Sequence, residues 1–379
     1  MPVSLHRQVG QLALVGFDGY SIPPEVRSLA REFDLGGVVL FRRNVESPEQ
    51  VAGVAWDART LARDLPLWVG VDQEGGRVAR IRKPFTEWPP AITLGRADDD
   101  GLAERFATAL SLELAAVGIS IDFAPVLDVL TNPANPVIGD RALAERAETV
   151  ARLGAVVIRA IQANGVAACG KHFPGHGESS VDSHFELPVL DLGLDRLHAV
   201  ELVPFRAAIA AGVTGIMTGH LLVPALDEKR PATIAPAIVH DLLRADLRFD
   251  GLAFTDDLDM KGISGDRPRA QVFVSAIAAG CDVGLLCGTD CAAHVEALEA
   301  LIHAVEREEV PWKRVEDALA RQRRAKERFA AMREVPAPFG PPLPAPLSNA
   351  WRPPDPPRLA GIAGCDEHQR IAAAMREYA

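Results

Sequence analysis

Eight short apolar runs recur along the chain, each closing on polar or glycine residues and most leading into a helical pattern: 12–17, 37–41, 67–72, 119–129, 166–171, 215–218, 252–256 and 283–287. Runs of this kind read as buried strands. Amphipathic stretches at 48–63, 101–117, 142–164, 270–280 and 292–307 lie between them. Ser47-Pro48, with Gln50 close behind, has the form of a capped helix start. Strand and helix in alternation imply parallel strands joined by crossovers. Eight such repeats predict closure into a (β/α)8 TIM-type barrel forming a single catalytic domain. The competing architecture, an open doubly wound sheet, carries a glycine-rich fingerprint after its first strand. Val15-Gly16-Phe17-Asp18-Gly19-Tyr20 does not supply one.

At 379 residues and 48% hydrophobic, the chain can fill one barrel of this size. A further helical pattern at 310–334 carries Arg and Lys on one side, which predicts a solvated outer helix. Composition then breaks. Ten prolines between Pro336 and Pro357 describe a stiff extended tether. The expected division is a barrel over 1–334, a Pro-rich C-terminal tail over 335–358, and a short helical segment over 359–379 that docks back on the barrel. The net charge of -11 argues against nucleic acid as a partner. The five cysteines form no paired framework, and the Cys287–Cys291 gap has no second pair to complete a metal site. Neither a leader pattern nor an apolar run of membrane-spanning length is visible. These features predict a soluble, cytoplasmic monomer with no cofactor and no metal.

Polar residues gather where the strands should end, the face at which barrels of this kind place their active sites. The densest stretch is 170–188, G-K-H-F-P-G-H-G-E-S-S-V-D-S-H-F-E-L-P, which contains Lys171, His172, His176, Asp182 and His184. Asp72 and Arg80 follow the third run, Asp128, Asp140 and Arg141 the fourth, His220 the sixth, and Asp256, Asp257 and Asp259 the seventh. Side chains two apart in extended chain point the same way, so Asp182 can fix one ring nitrogen of His184 and raise the basicity of the other. A carboxylate held at a strand end, such as Asp256, suits attack on an electrophilic carbon. Asp257 is the natural cap of the next helix. Glycoside cleavage asks for a proton donor on one side of the bond and a carboxylate on the other. Asp256 with the Asp182–His184 pair fills those roles, and Asp72, Arg80, Arg141, Lys171 and His172 are suited to hold sugar hydroxyls and an acetamido group.

With these residues in view, the chain resembles the glycoside hydrolase family 3 β-N-acetylhexosaminidases from about Gln8 to about Arg333. The resemblance is carried by V-D-Q-E-G-G-R-V, N-P-V-I-G-D-R, K-H-F-P-G-H-G followed by D-S-H, and T-D-D-L-D-M-K-G. It implies a retaining mechanism with Asp256 as nucleophile, His184 as acid/base with Asp182 as its partner, and sugar binding by Asp72, Arg80, Arg141, Lys171 and His172. The implied substrate is a terminal β-linked N-acetylglucosamine, in cytoplasmic cell-wall fragments. Phosphorolysis on the same barrel is a competing reading, since a neutral His donor repels phosphate less than a carboxylate. A family 3 glucosidase is another, but that branch takes its acid from a second domain for which the chain has no room. A histidine-based metal site and a non-catalytic sugar-binding module complete the alternatives.

Overall fold

The computed structural model describes residues 5–62, 65–183, 186–265, 267–330, 353 and 355–379. Eight parallel strands close on themselves in chain order: β1 (Ala13–Val15), β2 (Gly37–Leu40), β3 (Trp68–Val71), β4 (Ile121–Asp122), β5 (Ala167–Phe173), β6 (Gly215–Thr218), β7 (Leu252–Asp257) and β8 (Val283–Leu286). β8 returns to β1 through the Ala13–Gly284 register, which completes the barrel. Each of the eight apolar runs thus coincides with a strand, the fifth and seventh strands extending past their runs to Phe173 and Asp257. The fourth is far shorter than its run: beyond Asp122 regular pairing gives way to a single bridge between Val126 and Lys171, although Ala124 O and Pro125 O still accept from Cys169 N at 3.0 Å and Lys171 N at 3.2 Å. Pro125, which has no N–H to offer, lies in the part that departs.

Helices cover the outside of the barrel. The helices that follow the strands are α1 (Pro24–Phe33), α2 (Pro48–Leu61), α3 (Asp100–Ala116), α4 (Ala147–Ala163), α5 (Leu202–Ala210), α6 (Ala237–Asp246, wound as a π-helix), α7 (Arg269–Ala279) and α8 (Cys291–Glu306). Ser47 caps α2 by accepting from Gln50 N, with Pro48 as the first helical residue. Alternate strand residues fill the barrel, among them Leu14, Val39, Trp68, Ile121, Phe254 and Leu285, all nearly or fully buried. Burying a side chain of this size contributes roughly 1.5–3 kcal/mol.

The helix α9 (Trp312–Phe329) corrects one expectation. It is not simply a solvated outer helix: Val315, Ala318, Gln322, Lys326 and Phe329 are buried. Phe329 and Ala330 belong to the barrel's interior cluster. Gln322 accepts from Trp68 Nε1 at 2.8 Å and donates to Gln11 O at 2.9 Å. Lys326 Nζ donates to Gln11 Oε1 at 2.8 Å. Since Gln11 precedes β1 and Trp68 begins β3, α9 closes the N-terminal end of the barrel. Its basic residues are divided between this seal and solvent.

The last helix, α10 (Asp366–Arg376), packs on α3. The buried Glu113 carboxylate receives Thr86 Oγ1 at 2.7 Å, Gly364 N at 2.8 Å and His368 Nδ1 at 2.8 Å. No helix among the described residues is long and apolar enough to cross a membrane.

Candidate active site

The open C-terminal mouth is where the strand-end residues meet. After β3 the chain turns through a small hairpin, Gln73–Gly75 against Val78–Ala79. The Gln73 side chain staples its base: Oε1 accepts from Arg80 N at 2.9 Å and Ile81 N at 3.0 Å, and Nε2 donates to Ile81 O at 2.8 Å. Asp72, Glu74 and Arg80 are thereby held close together. Lys171 reaches across from β5 and sits 2.8 Å from Asp72 Oδ1 and 2.6 Å from Glu74 Oε1. Arg80 Nη2 lies 3.0 Å from Asp72 Oδ2. Arg141 Nε and Nη2 each donate to Glu74 at 2.8 Å in a two-pronged pair. Two carboxylates therefore serve three cations, and Asp72 and Arg80 keep 18% and 29% of their side chains exposed. Phe41, at the end of β2, packs beneath the guanidinium groups of Arg43 and Arg80, 4.4 and 5.5 Å from its ring centre.

The electrostatics follow from this packing. Burial alone would raise the Asp72 and Glu74 carboxyls, but Lys171 with Arg80 holds Asp72 well below the usual range, and Arg141 with Lys171 holds Glu74 down to about 2. Burial would lower Lys171 and Arg141, and the same carboxylates drive both upward instead. All of these groups are ionised at neutral pH.

His172 has a separate support. Asp128, fully buried at the β4 side, accepts from His172 N at 3.1 Å and His176 N at 2.7 Å, and its Oδ2 lies 2.7 Å from His172 Nδ1. A carboxylate at Nδ1 places a ring hydrogen there and fixes the orientation of the imidazole. Burial and the neighbouring His172 push His176 down to about 4, so it is neutral. It works as a strut: Nδ1 meets Ser179 Oγ at 2.6 Å and Nε2 meets Ser183 Oγ at 3.2 Å. Ser183 is the central residue of D-S-H. Its carbonyl accepts from Gly262 N at 3.1 Å, which docks this part of the loop beside the segment that follows β7. A Cβ on Gly177 would stand 1.7 Å from Val129 O, so that glycine is required for close backbone contact.

Asp256 ends the interior face of β7 and is partly exposed to the mouth. Burial would raise its carboxyl, but the neighbouring His172, together with the Asp257 N–H at 2.8 Å, holds it below the usual range. It is ionised and oriented, as a nucleophile must be. Asp257 is not the expected helix cap. Its Oδ1 accepts from Asp259 N at 3.0 Å and Cys287 N at 3.2 Å, and burial with Asp259 and Asp256 raises it to about 6.

The structure thus brings Asp72, Arg80, Arg141 and Lys171 into one hydrogen-bonded network, with His172 and Asp256 coupled to it electrostatically. Asp182 is partly buried on the docked loop, and its carbonyl accepts from Glu186 N at 3.0 Å. His184 lies outside the described residues. Asp140 pairs with Arg77 on the surface, away from the network. Glu74 was missed, although it stands two residues from Asp72 on a short strand, the spacing that puts both carboxylates on one side. No group of three His, Cys, Asp or Glu side chains among the described residues could hold a metal ion.

Comparison with known proteins places the chain in a family. Residues 4–325 match the family described as glycosyl hydrolase family 3 N terminal domain. "Beta-hexosaminidase A" of Pseudoalteromonas piscicida is 35% identical over 76% of this chain, which spans 54% of that relative's length. A "Beta-hexosaminidase" of Alkalilimnicola ehrlichii is 38% identical over 76% of this chain and 82% of its own. Among solved structures, a family 3 β-N-acetylglucosaminidase from Paenibacillus sp. str. FPU-7 superposes with a TM-score of 0.88 at 38% identity, covering 99% of this chain and 69% of that one. The chain belongs to glycosyl hydrolase family 3.

Proposed function

We propose that this family 3 glycoside hydrolase is a retaining exo-β-N-acetylglucosaminidase. The observation that carries the reading is an ionised, oriented Asp256 beside a charged network that keeps Asp72 and Arg80 open to a ligand, with the D-S-H loop anchored at Ser183 next to the same strand end. Its relatives of β-hexosaminidase name support the class of bond cleaved.

In this mechanism Asp256 attacks the anomeric carbon as the C1–O bond to the leaving group breaks. His184, as imidazolium and oriented by Asp182, gives its proton to the departing oxygen. Water then attacks C1 of the glycosyl-enzyme, passes a proton to His184, and releases Asp256 as carboxylate. Asp72, Arg80, Arg141, Lys171 and His172 bind hydroxyls and the acetamido group by charge-assisted hydrogen bonds. The natural substrate in this reading is a cytoplasmic, cell-wall-derived fragment with a terminal β-linked N-acetylglucosamine.

The test is turnover of an aryl β-N-acetylglucosaminide, with the anomer of the first-formed product read by NMR. Release of the β-anomer is expected. Asp256→Ala should lower kcat at least about a thousandfold. An α-anomer, a sugar-1-phosphate formed in phosphate buffer, or near-normal turnover by the variant would overturn the reading.

A further inference from the structure

A carboxylate at a strand end is only as well aimed as the peptide that follows it. The Asp257 N–H holds Asp256 Oδ1 at 2.8 Å, so the setting of that peptide sets the carboxylate. Asp257 is gripped from both sides. Toward β8 its side chain accepts from Cys287 N at 3.2 Å. Toward β6 its carbonyl oxygen lies 2.9 Å from Nε2 of His220.

His220 just follows β6, and its ring closes a row of hydroxyls. Nδ1 lies 2.8 Å from Thr233 Oγ1, which in turn lies 3.0 Å from Thr218 Oγ1. A carbonyl oxygen has no hydrogen to give, so His220 Nε2 carries one. With Thr218 donating to Thr233 and Thr233 to Nδ1, a single neutral tautomer satisfies the row. The longer alternative, Thr233 Oγ1 to Gly219 O at 3.2 Å, would leave Nδ1 without that hydrogen. Thr218, His220 and Thr233 all have 0% exposure, so bulk water does not reach the row to substitute for a missing hydroxyl.

We propose that His220 is a positioning residue for glycosyl transfer: held as the Nε2–H tautomer by Thr233, it fixes the Asp257 carbonyl and, through the Asp257 backbone, the preceding peptide N–H that sets the line of attack of the Asp256 carboxylate. This rests on Asp256 as the nucleophile. His220 does not touch the sugar in this role; it acts through the backbone of its neighbour.

Thr233→Val keeps the shape of the side chain and removes the hydroxyl, and Thr233→Ser keeps the hydroxyl. Misaligning a reacting group by about 1 Å can cost about a hundredfold, so a smaller shift should give Thr233→Val a kcat lower by about tenfold, with KM within about twofold. Thr233→Ser should stay within about twofold of the parent enzyme in kcat. His220→Leu should lose at least as much as Thr233→Val. Turnover by Thr233→Val equal to the parent, an equal loss in Thr233→Ser, or a lowered melting temperature with unchanged kcat overturns the proposal. The nucleophile is tested separately by Asp256→Ala with azide. Formation of an α-glycosyl azide alongside an unaffected Thr233→Val would sink the positioning role alone, whereas near-normal turnover by Asp256→Ala would sink both.

Discussion

At the C-terminal mouth, Asp72 and Glu74 share Lys171, Arg80 and Arg141, and part of the network stays open to solvent. At the opposite end, Asp282 is fully buried and receives Arg244, Arg314 and Arg321, while Arg321 and Arg324 also hold Asp250. The density of charge is similar, but the surroundings differ. Below, α9 lies across the cluster, and the Asp282 side chain also accepts from Ala253 N at 3.0 Å, so its charges are used up in joining strand to helix. Above, no helix among the described residues lies across the network, and hydrogen-bonding capacity remains for a ligand. Closure by the chain makes a charged cluster structural, and an opening on one side makes it a binding site.

The largest effect should come from the closed end. Asp282→Ala leaves three guanidinium groups around an empty position, and breaking a buried pair in this way costs about 3–5 kcal/mol. Urea denaturation should show that loss, while kcat of the folded protein stays at the parent value. A variant that remained stable and lost turnover would break the comparison.

The open end should answer the other way. Asp72→Asn keeps the size of the side chain and removes the charge that Lys171 and Arg80 face. Losing one charge-assisted contact to the sugar should lower kcat/KM about a hundredfold, equivalent to about 2.7 kcal/mol, with little movement of the urea midpoint. A midpoint that fell in step with activity would mean that the mouth is held together by the same logic as the base.

The same contrast explains how much was legible in the sequence. The eight strands could be read because parallel strands covered on both faces are nearly continuous apolar runs. Asp72, Arg80, Arg141, Lys171, His172 and Asp256 could be placed at the mouth because they close or follow those runs. Glu74 was harder to read: its two-residue spacing from Asp72 puts the two carboxylates on one side, but its role is to hold Arg141 and Lys171, and those partners come from distant parts of the chain. Asp128 stood out only as a polar residue after a strand, and its grip on the His172 ring is a long-range contact. The reading of α9 failed for a related reason. Gln322 and Lys326 are four apart on the face that also carries Phe329, and polar residues on a sealing face look like solvated ones until their partners are known.

Lys326 gives the smallest expected effect and the finest test of that contrast. Its ammonium is wholly buried at the base of the barrel with Gln11 Oε1 at 2.8 Å, and burial pushes it down to about 7 despite Asp34 nearby. In the unfolded chain a lysine titrates near ~10.4. Between these values the unfolded chain holds the extra proton, so stability rises with pH. The contribution is complete above the unfolded value and is lost as pH falls through about 7. Lys326→Met removes the titration and leaves Gln11 Oε1 without this donor, a cost of about 1 kcal/mol set against release of the buried amine. At pH 7 the variant should match the parent or exceed it by about 1 kcal/mol. From pH 7.5 to 8.5 the parent should gain on the variant by up to about 1.4 kcal/mol, read from urea midpoints at each pH. A constant difference across that range would mean that Lys326 keeps its charge inside the seal. The base would then hold ionised groups in the same state as the mouth, and access alone would separate the two ends.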